Sequence, residues 1–392
     1  MPSQSDVVIV GAGIAGLTAA LALAQRDFTI TLLEARDAAT EIGAGIQLGP
    51  NATTCLAALG LRDAIASHAT APAEIAVRSG RSGRLIQSLP LGPWIAERHG
   101  APYLVTTRQD LHRALLNAAT AKPTITILPG AKVDHVADLT ATAATGELHT
   151  ANHCVIVADG IWSRLHTALT DRSAPLQFSG KRAARTLINT DAAPEVLRAN
   201  AVGTWLSPSG HLVHYPVANG RQIALVVVSS NSDATQDWSR AMPTSAAVDC
   251  LTEIAPPLDH GWAADADWRS WPLYERAPAY TTTQPGTVMI GDAAHPVLPF
   301  LAQGAALAIE DAMVLAGELA RADRTPEAAI ASFVTSRTSR AAAVAKAAKN
   351  NGRIFHLSGP GAFARDTALG LMGGDRAMAR YDWLYGWKPP MQ

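Results

Sequence analysis

Cysteine is scarce in this chain: Cys55, Cys154 and Cys250 are the three in 392 residues. They lie far apart without metal-ligand spacing, which argues against a disulfide framework or a zinc site, so no metal is expected. Phenylalanine and tyrosine are also few, six of each, so any aromatic-walled pocket must be built from a small number of rings. Neither sign of charge dominates, with 32 basic residues against 33 acidic ones. That balance argues against nucleic acid as a partner. The apolar stretch from Val7 to Ala24 has no basic residue before it and is interrupted by Gly11, Gly13 and Gly16. It therefore reads as strand, turn and helix, not as an export signal or membrane span. A soluble chain in a reducing cytoplasm is the expectation.

What the chain has is apolar mass, 48% of its residues, enough at this length for two or three packed units. "DVVIV" is a β-branched run of the buried parallel type, "LTAALALAQR" reads as helix, and "FTITLLEA" returns as a strand ending at Glu34. This is one βαβ unit. Helices are expected near Asn51 and over "RQDLHRALLNAA", and two strands flank the glycine-rich turn of "EIAVRSGRSGRLI". From about Phe178 to Trp271 the pattern changes to strand pairs, among them "HLVHYPV" and "QIALVVVSS" joined through Asn219-Gly220, a hairpin signal. "TVMIGDAAH" restores the βα style, and alanine-rich helix follows from about Thr325.

These signals predict an α/β protein with a Rossmann-like dinucleotide-binding domain, discontinuous over residues 1–75, 100–177 and 275–335. A β-rich substrate domain of residues 76–99 and 178–274 is inserted in it, and residues 336–392 form a C-terminal helical region.

In the Gly11-Ala-Gly-Ile-Ala-Gly16 loop, the first glycine permits a sharp turn, the second lets backbone approach a pyrophosphate, and the third lets helix pack on strand. The helix start offers unpaired N–H groups to phosphate, and Glu34 stands where an adenosine ribose would be held. This fingerprint does not separate NAD from FAD. Two later acidic turns do: "VADG", ending at Gly160, and "GDAAHP", beginning at Gly291.

With these turns the chain resembles the single-component FAD-dependent aromatic hydroxylases of the 4-hydroxybenzoate hydroxylase fold. It looks most like the branch acting on salicylate, 3-hydroxybenzoate and 6-hydroxynicotinate. The resemblance rests on "GAGIAGLTAALAL", "EIGAGIQLGPNA", "TTRQDLHRAL", "ADGIWSRL", "HLVHYPV", "GDAAHPVLPFLAQGAALAIEDA", "HLSGPGAFARD" and "YDWLYGW", in that order along nearly the whole chain.

The resemblance implies FAD as cofactor, held by Gly11, Gly13, Ile14, Ala15, Gly16, Glu34, Ala35, Arg108, Val133, Asp159, Asp292, Pro299, Gly304 and Ala305. It implies NADH or NADPH as electron donor, and O2 with a small aromatic acid as co-substrates. Reduced flavin would add oxygen to give a C4a-hydroperoxide, whose distal OH passes to the ring. An electron-rich phenolate ring is the better acceptor, so a base of near-neutral pKa is wanted.

If "HLVHYPV" is a strand, His211, Val213 and Tyr215 share one face and His214 takes the other. His211 and Tyr215 match a substrate-facing pair in the hydroxynicotinate branch, with His211 the better base; ordinary sheet residues reaching water are the competing reading. Gln47 and Phe300 stand where that branch tends to have histidines, which makes the pocket less basic and more apolar. Arg185 matches a retained arginine and would pair with a substrate carboxylate or, equally, with a structural partner. Ala184 replaces the usual tryptophan and is expected to reshape the site, which would suit a larger, non-acid ring. Val157 stands where relatives have glycine. His295 reads as a structural turn residue, and the aromatics of the C-terminal motifs as packing, with room for a homodimer contact.

Overall fold

The computed structural model describes residues 4–37, 45–170, 174–232, 235 and 239–389; the first four residues of "EIGAGIQLGPNA" lie outside these. The β-branched run expected to be a buried parallel strand lies in Gln4–Val10, where Val7, Val8 and Ile9 are wholly buried. It pairs in parallel with Ile30–Leu33 on one side and Leu148–Val157 on the other. Ile125–Leu128 and Thr287–Met289 extend the parallel sheet outward. An antiparallel hairpin, Val133–Ala137 with Thr140–Ala143, completes it.

Register decides what this sheet can do. Val10 aligns with Val157, and Val157 with Met289. The three turns that follow these residues, at Gly11, Asp159 and Gly291, therefore emerge side by side at the carboxyl edge, where open α/β sheets bind ligands. Val157, the departure from glycine, is fully buried between its two neighbouring strands.

The second sheet has eight strands, in spatial order Arg240–Ala241, Arg269–Glu275, Gln177–Asn189, Gln222–Ser230, Gly210–Val217, Ala201–Ser207, Glu74–Ser79 and Leu85–Pro90. All its pairings are antiparallel except that of Ala201–Ser207 with Glu74–Ser79. The predicted hairpin is present, its loop carrying Ala218 and Asn219 in the left-handed region that the Asn-Gly signal accommodates.

One face of this sheet packs against the helix Thr244–Ile254, with Trp205 and Trp268 in the cluster between them. Ala184 belongs to that cluster. Strand alternation turns it away from Arg185, so the expectation that Ala184 reshapes the site is overturned.

The alanine-rich helix runs from Pro326 to Phe355, capped by the Thr325 hydroxyl, which accepts from the Ala328 N–H at 3.3 Å. It passes unbroken through the boundary expected at residue 336, because no proline interrupts it after its first position. Among the described residues no helix is long and apolar enough to cross a membrane.

This helix meets Gly304–Leu319 through buried ions. Glu310 and Asp311 are wholly buried and Arg337 nearly so. Arg337 donates to Asp311 and Glu310, each at 2.8 Å, and Arg340 donates to both Glu310 oxygens at 2.8 and 3.1 Å. Asn51, at the start of the helix Pro50–Ala58, adds a bond to Glu310 at 2.6 Å. Asp311 also receives the Tyr280 hydroxyl, the Gly291 N–H and the His295 ring. Burial would raise the Asp311 carboxyl; His295 and Arg337 outweigh that and hold it below its ordinary 3.8.

Breaking a buried pair leaves a desolvated charge without compensation. Arg337→Ala should therefore cost about 3–5 kcal/mol in urea unfolding, whereas Arg321→Ala, at an exposed pair, should leave the midpoint unmoved. Because the folded Asp311 carboxyl sits below its unfolded value, its contribution is complete above pH 3.8 and is lost as pH falls through the folded value.

Candidate active site

The N-terminal loop is shaped by contact. Gly11 has φ of +103°, and a Cβ there would lie 2.5 Å from the Ala158 carbonyl oxygen. A Cβ on Gly16 would lie 1.9 Å from the Gly11 carbonyl oxygen, so helix and strand meet through this glycine. Gly13 differs, because a Cβ there would meet nothing within 4 Å. The space beside Gly13 adjoins the first N–H groups of the helix Ile14–Ala24, a cradle of the kind that takes a pyrophosphate.

Glu34 is buried and receives the Ala12 N–H at 2.8 Å and the Arg36 N–H at 3.0 Å. It thus joins the glycine loop to the end of the second strand, beside exposed Ala35. Gly130 donates to the Arg36 carbonyl at 3.1 Å, which brings the segment leading to Val133 against the same edge.

At the middle turn, burial pushes the Asp159 carboxyl up to about 6, with Ser163 and Arg276 opposing the rise. Its Oδ1 is buried with no partner among the described residues. The third turn places Asp292 beside the start of Gly304–Leu319: a Cβ on Gly304 would lie 3.9 Å from the Asp292 Oδ1. Ala302, in the left-handed region, and the cap Gln303 deliver the chain into that helix, and Asn51 fixes the Gln303 amide at 2.9 Å.

From here a cleft of about 1240 Å³ of open space extends between the two sheets. Asp292, Pro299, Gly304 and Ala305 form one wall and Arg108, at the start of the helix Arg108–Thr120, another. The β-sheet domain supplies Arg185, His211, Val213 and Tyr215. His211, Val213 and Tyr215 line the cleft together while His214 does not, as strand alternation predicts.

Arg185 stacks on Trp271, its guanidinium 5.1 Å from the ring centroid. No carboxylate pairs with it among the described residues, and its Nε is buried without a partner. Burial pushes the Tyr215 phenol up to about 12, with Arg185 and a bond from Gln47 opposing this, so Tyr215 keeps its proton at neutral pH. Gln47 in turn accepts from the Tyr103 hydroxyl at 2.6 Å. His211 is pushed well below 6.5, by burial first and then by His356 and Lys181, and is neutral.

Phe300 is not a wall of this cleft. It packs behind His211, ring centroids 5.4 Å apart, and the aromatic rings that line the cleft are those of Tyr215, Trp271 and Tyr274.

The FAD binding domain family matches residues 4–348. The 3-hydroxybenzoate 6-hydroxylase of Polaromonas naphthalenivorans (strain CJ2) is 31% identical over 98% of this chain and 97% of its own length. The 3-amino-4-hydroxybenzoate 2-monooxygenase of Streptomyces cremeus is 32% identical over 97% of this chain and 94% of its own. A salicylate hydroxylase substrate complex superposes with a TM-score of 0.80 at 23% identity, covering 98% of this chain and 96% of that one. The chain belongs to the FAD-dependent aromatic hydroxylases.

For a hydroxylase, several residues that matter here lie within the quoted motifs without a role having been read from them. Asp311 anchors the acidic turn through the Gly291 N–H and the His295 ring, and Glu310 beside it holds Asn51, Arg337 and Arg340. His295 is structural, as expected. His356, which "HLSGPGAFARD" presents as packing, bonds His211 Nδ1 through its Nε2 at 2.9 Å. Its proximity to strand Gly210–Val217 is a long-range contact with no local signal.

The glycine loop separates folding from cofactor retention. Gly13→Ala has room in the protein and should fold with unchanged apoprotein melting while retaining less flavin, read as absorbance per protein. Gly16→Ala meets backbone at 1.9 Å and should lose both.

Proposed function

We propose that this hydroxylase inserts one oxygen atom of O2 into a small hydroxylated aromatic or heteroaromatic acid, with NADH or NADPH as electron donor. The observation that carries the reading is Arg185, a cation in the cleft without a carboxylate of its own, beside Tyr215 and on the same side as His211. A guanidinium taken out of water lacks compensation until an anion arrives, and its planar fork suits a carboxylate. The relatives named for hydroxybenzoates support the same substrate class. The larger non-acid ring loses its motive, since Ala184 is packed behind the sheet.

The residues match an FAD lying along the carboxyl edge of the first sheet. The adenosine end would rest on Glu34 and Ala35 near Val133, and the pyrophosphate on Gly13, Ile14 and Ala15 with Arg108 alongside. Asp159, with its unpartnered buried oxygen, stands at the middle turn, and Asp292 and Pro299, which line the cleft, would hold the ribityl chain and ring. Gly304 and Ala305, at a helix start that lines the cleft, would offer N–H groups to the flavin ring and stabilise the negative charge it gains on reduction. When bound, FAD takes hydride from the nicotinamide and activates O2 for transfer of one oxygen atom to the ring.

The chain's own residues prepare the substrate. Arg185 holds the carboxylate, and Tyr215, which keeps its proton, donates a hydrogen bond. Gln47, tied to Tyr103, holds Tyr215 in place. Neutral His211 takes the ring hydroxyl proton at Nε2, its Nδ1 being engaged by His356. Removing that proton raises the electron density of the ring.

The decisive test gives the yellow protein NADH with a panel of phenolic acids and measures oxygen uptake, peroxide and hydroxylated product together. Product in step with NADH supports the reading; peroxide without product across the panel makes the protein an NADH oxidase. Arg185→Gln should raise KM for the acid roughly 10–100-fold, as loss of a hydrogen-bonded charge contact of about 1.5–3 kcal/mol implies. Flavin content and KM for NADH should not change, nor should turnover of the same phenol lacking its carboxylate.

A further inference from the structure

His211 has a defect as a terminal base. Its ring is buried to within 2% of full burial, packed edge-on by Phe300 and Phe355 at 5.4 and 5.3 Å. An imidazolium formed there would gain no carboxylate, since none bonds it among the described residues, and Lys181 adds like charge. Burial first, then His356 and Lys181, oppose the charged form. A proton taken from substrate must therefore leave as it arrives.

The exit is present. His356 follows the long helix Pro326–Phe355 directly, and its Nε2 lies 2.9 Å from His211 Nδ1, rings 5.1 Å apart. Two imidazoles at that distance share one proton between facing nitrogens, one donating and one accepting. His356 is only partly buried, so its ring lies between the cleft residue and water.

We infer that His356 is a proton-relay residue, passing to solvent the proton that His211 receives from the substrate hydroxyl. The inference rests on the proposed hydroxylase chemistry. Before transfer, His211 carries its proton on Nδ1, donated to His356 Nε2, and His356 carries one on Nδ1. The substrate O–H bond breaks as a proton joins His211 Nε2; the Nδ1 proton moves to His356 Nε2; the His356 Nδ1 proton leaves to water. Both rings end neutral in the opposite tautomer, the substrate is left as phenolate, and one proton has gone to solvent. Rotation or return of the tautomers resets the pair. No buried imidazolium need accumulate, which answers the defect of His211 alone.

The charged groups facing His356 come from two elements. Lys181, on strand Gln177–Asn189, and Arg365, on helix Gly359–Leu371, both oppose its protonation after burial has done so, and push it to about 4. Arg365 is held by Asp366 and by the carbonyls of Ile354 and Phe355 at 3.0 and 2.9 Å. His356 therefore stays neutral from about pH 5 upward and is a conduit, not a store. The relay predicts no loss of turnover from its titration between pH 6 and 8.

The test uses FAD-loaded protein and two substitutions of different meaning. His356→Gln retains an amide oxygen that can accept from His211 Nδ1, preserving position, but cannot pass a proton on. His356→Ala opens room for added imidazole. Both variants should keep flavin content and substrate KM while kcat for hydroxylation falls on the order of 10²-fold, the usual worth of proton transfer by a positioned group. The falls should be equal in Gln and Ala, a larger solvent deuterium effect should appear, and millimolar imidazole should restore the Ala variant.

A merely positioning role would let Gln retain the full kcat, and that result overturns the relay, as does an unchanged kcat in both variants. Independently of any substrate, imidazole nitrogen NMR of the unaltered protein should find both rings neutral at pH 7, with a shared proton that vanishes in His356→Gln; two independently titrating rings would also overturn it. If the hydroxylase reading itself fails, the unaltered protein hydroxylates nothing, which is distinct from a working enzyme indifferent to position 356.

Discussion

The buried pairing of Glu310 and Asp311 with Arg337 and Arg340 is the constraint on which the site depends. Two carboxylates without solvent are tolerable only with near-complete compensation, and here the partners come from distant parts of the chain. Asn51 reaches Glu310 from the helix Pro50–Ala58, and the two arginines come from the helix Pro326–Phe355. Asp311 in turn holds the Gly291 N–H and the His295 ring, which set the acidic turn. The turn therefore has its position because ions behind it are satisfied. The C-terminal tail joins the same unit, since Arg340 donates to the Trp383 and Leu384 carbonyls at 2.8 and 2.9 Å and faces the Trp387 ring.

This arrangement divides the protein's charge by function. Behind the helix Gly304–Leu319, every buried charge is matched. Among the described residues, Arg185 in the cleft ahead of it has no carboxylate, and the Asp159 Oδ1 at the middle turn has no partner. Interior ions satisfied this thoroughly thus stand close to polar groups left without partners at one edge of the sheet.

The sequence was most informative where chemistry depends on local geometry. The glycine loop, the alternation of His211, Val213 and Tyr215, the hairpin at Asn219 and the helix beginning after Thr325 each follow from a few adjacent residues, and each is present. It was silent where position depends on tertiary packing. Ala184 and Arg185 are neighbours, but which faces the cleft depends on which side of the sheet the helix Thr244–Ile254 covers. Phe300 sits one residue from cleft-lining Pro299 and yet turns behind His211. Glu310 and Asp311 carry no sign of total burial, because the arginines that permit it lie 26 to 30 residues further on.

His356 shows why that silence matters for chemistry. A histidine at a helix end, followed by serine, glycine and proline, has the local features of a helix stop. Its partner His211 lies 145 residues away, in the eight-stranded sheet. The two meet because the helix Pro326–Phe355 is long enough, at about 1.5 Å per residue, to run from the ion network to the far end of the cleft. The same helix that neutralises Glu310 from its middle thus delivers a second imidazole at its end. Fixing the acidic turn and completing the proton path are consequences of one element's length, so the buried ions and the cleft's proton chemistry are set by the same packing.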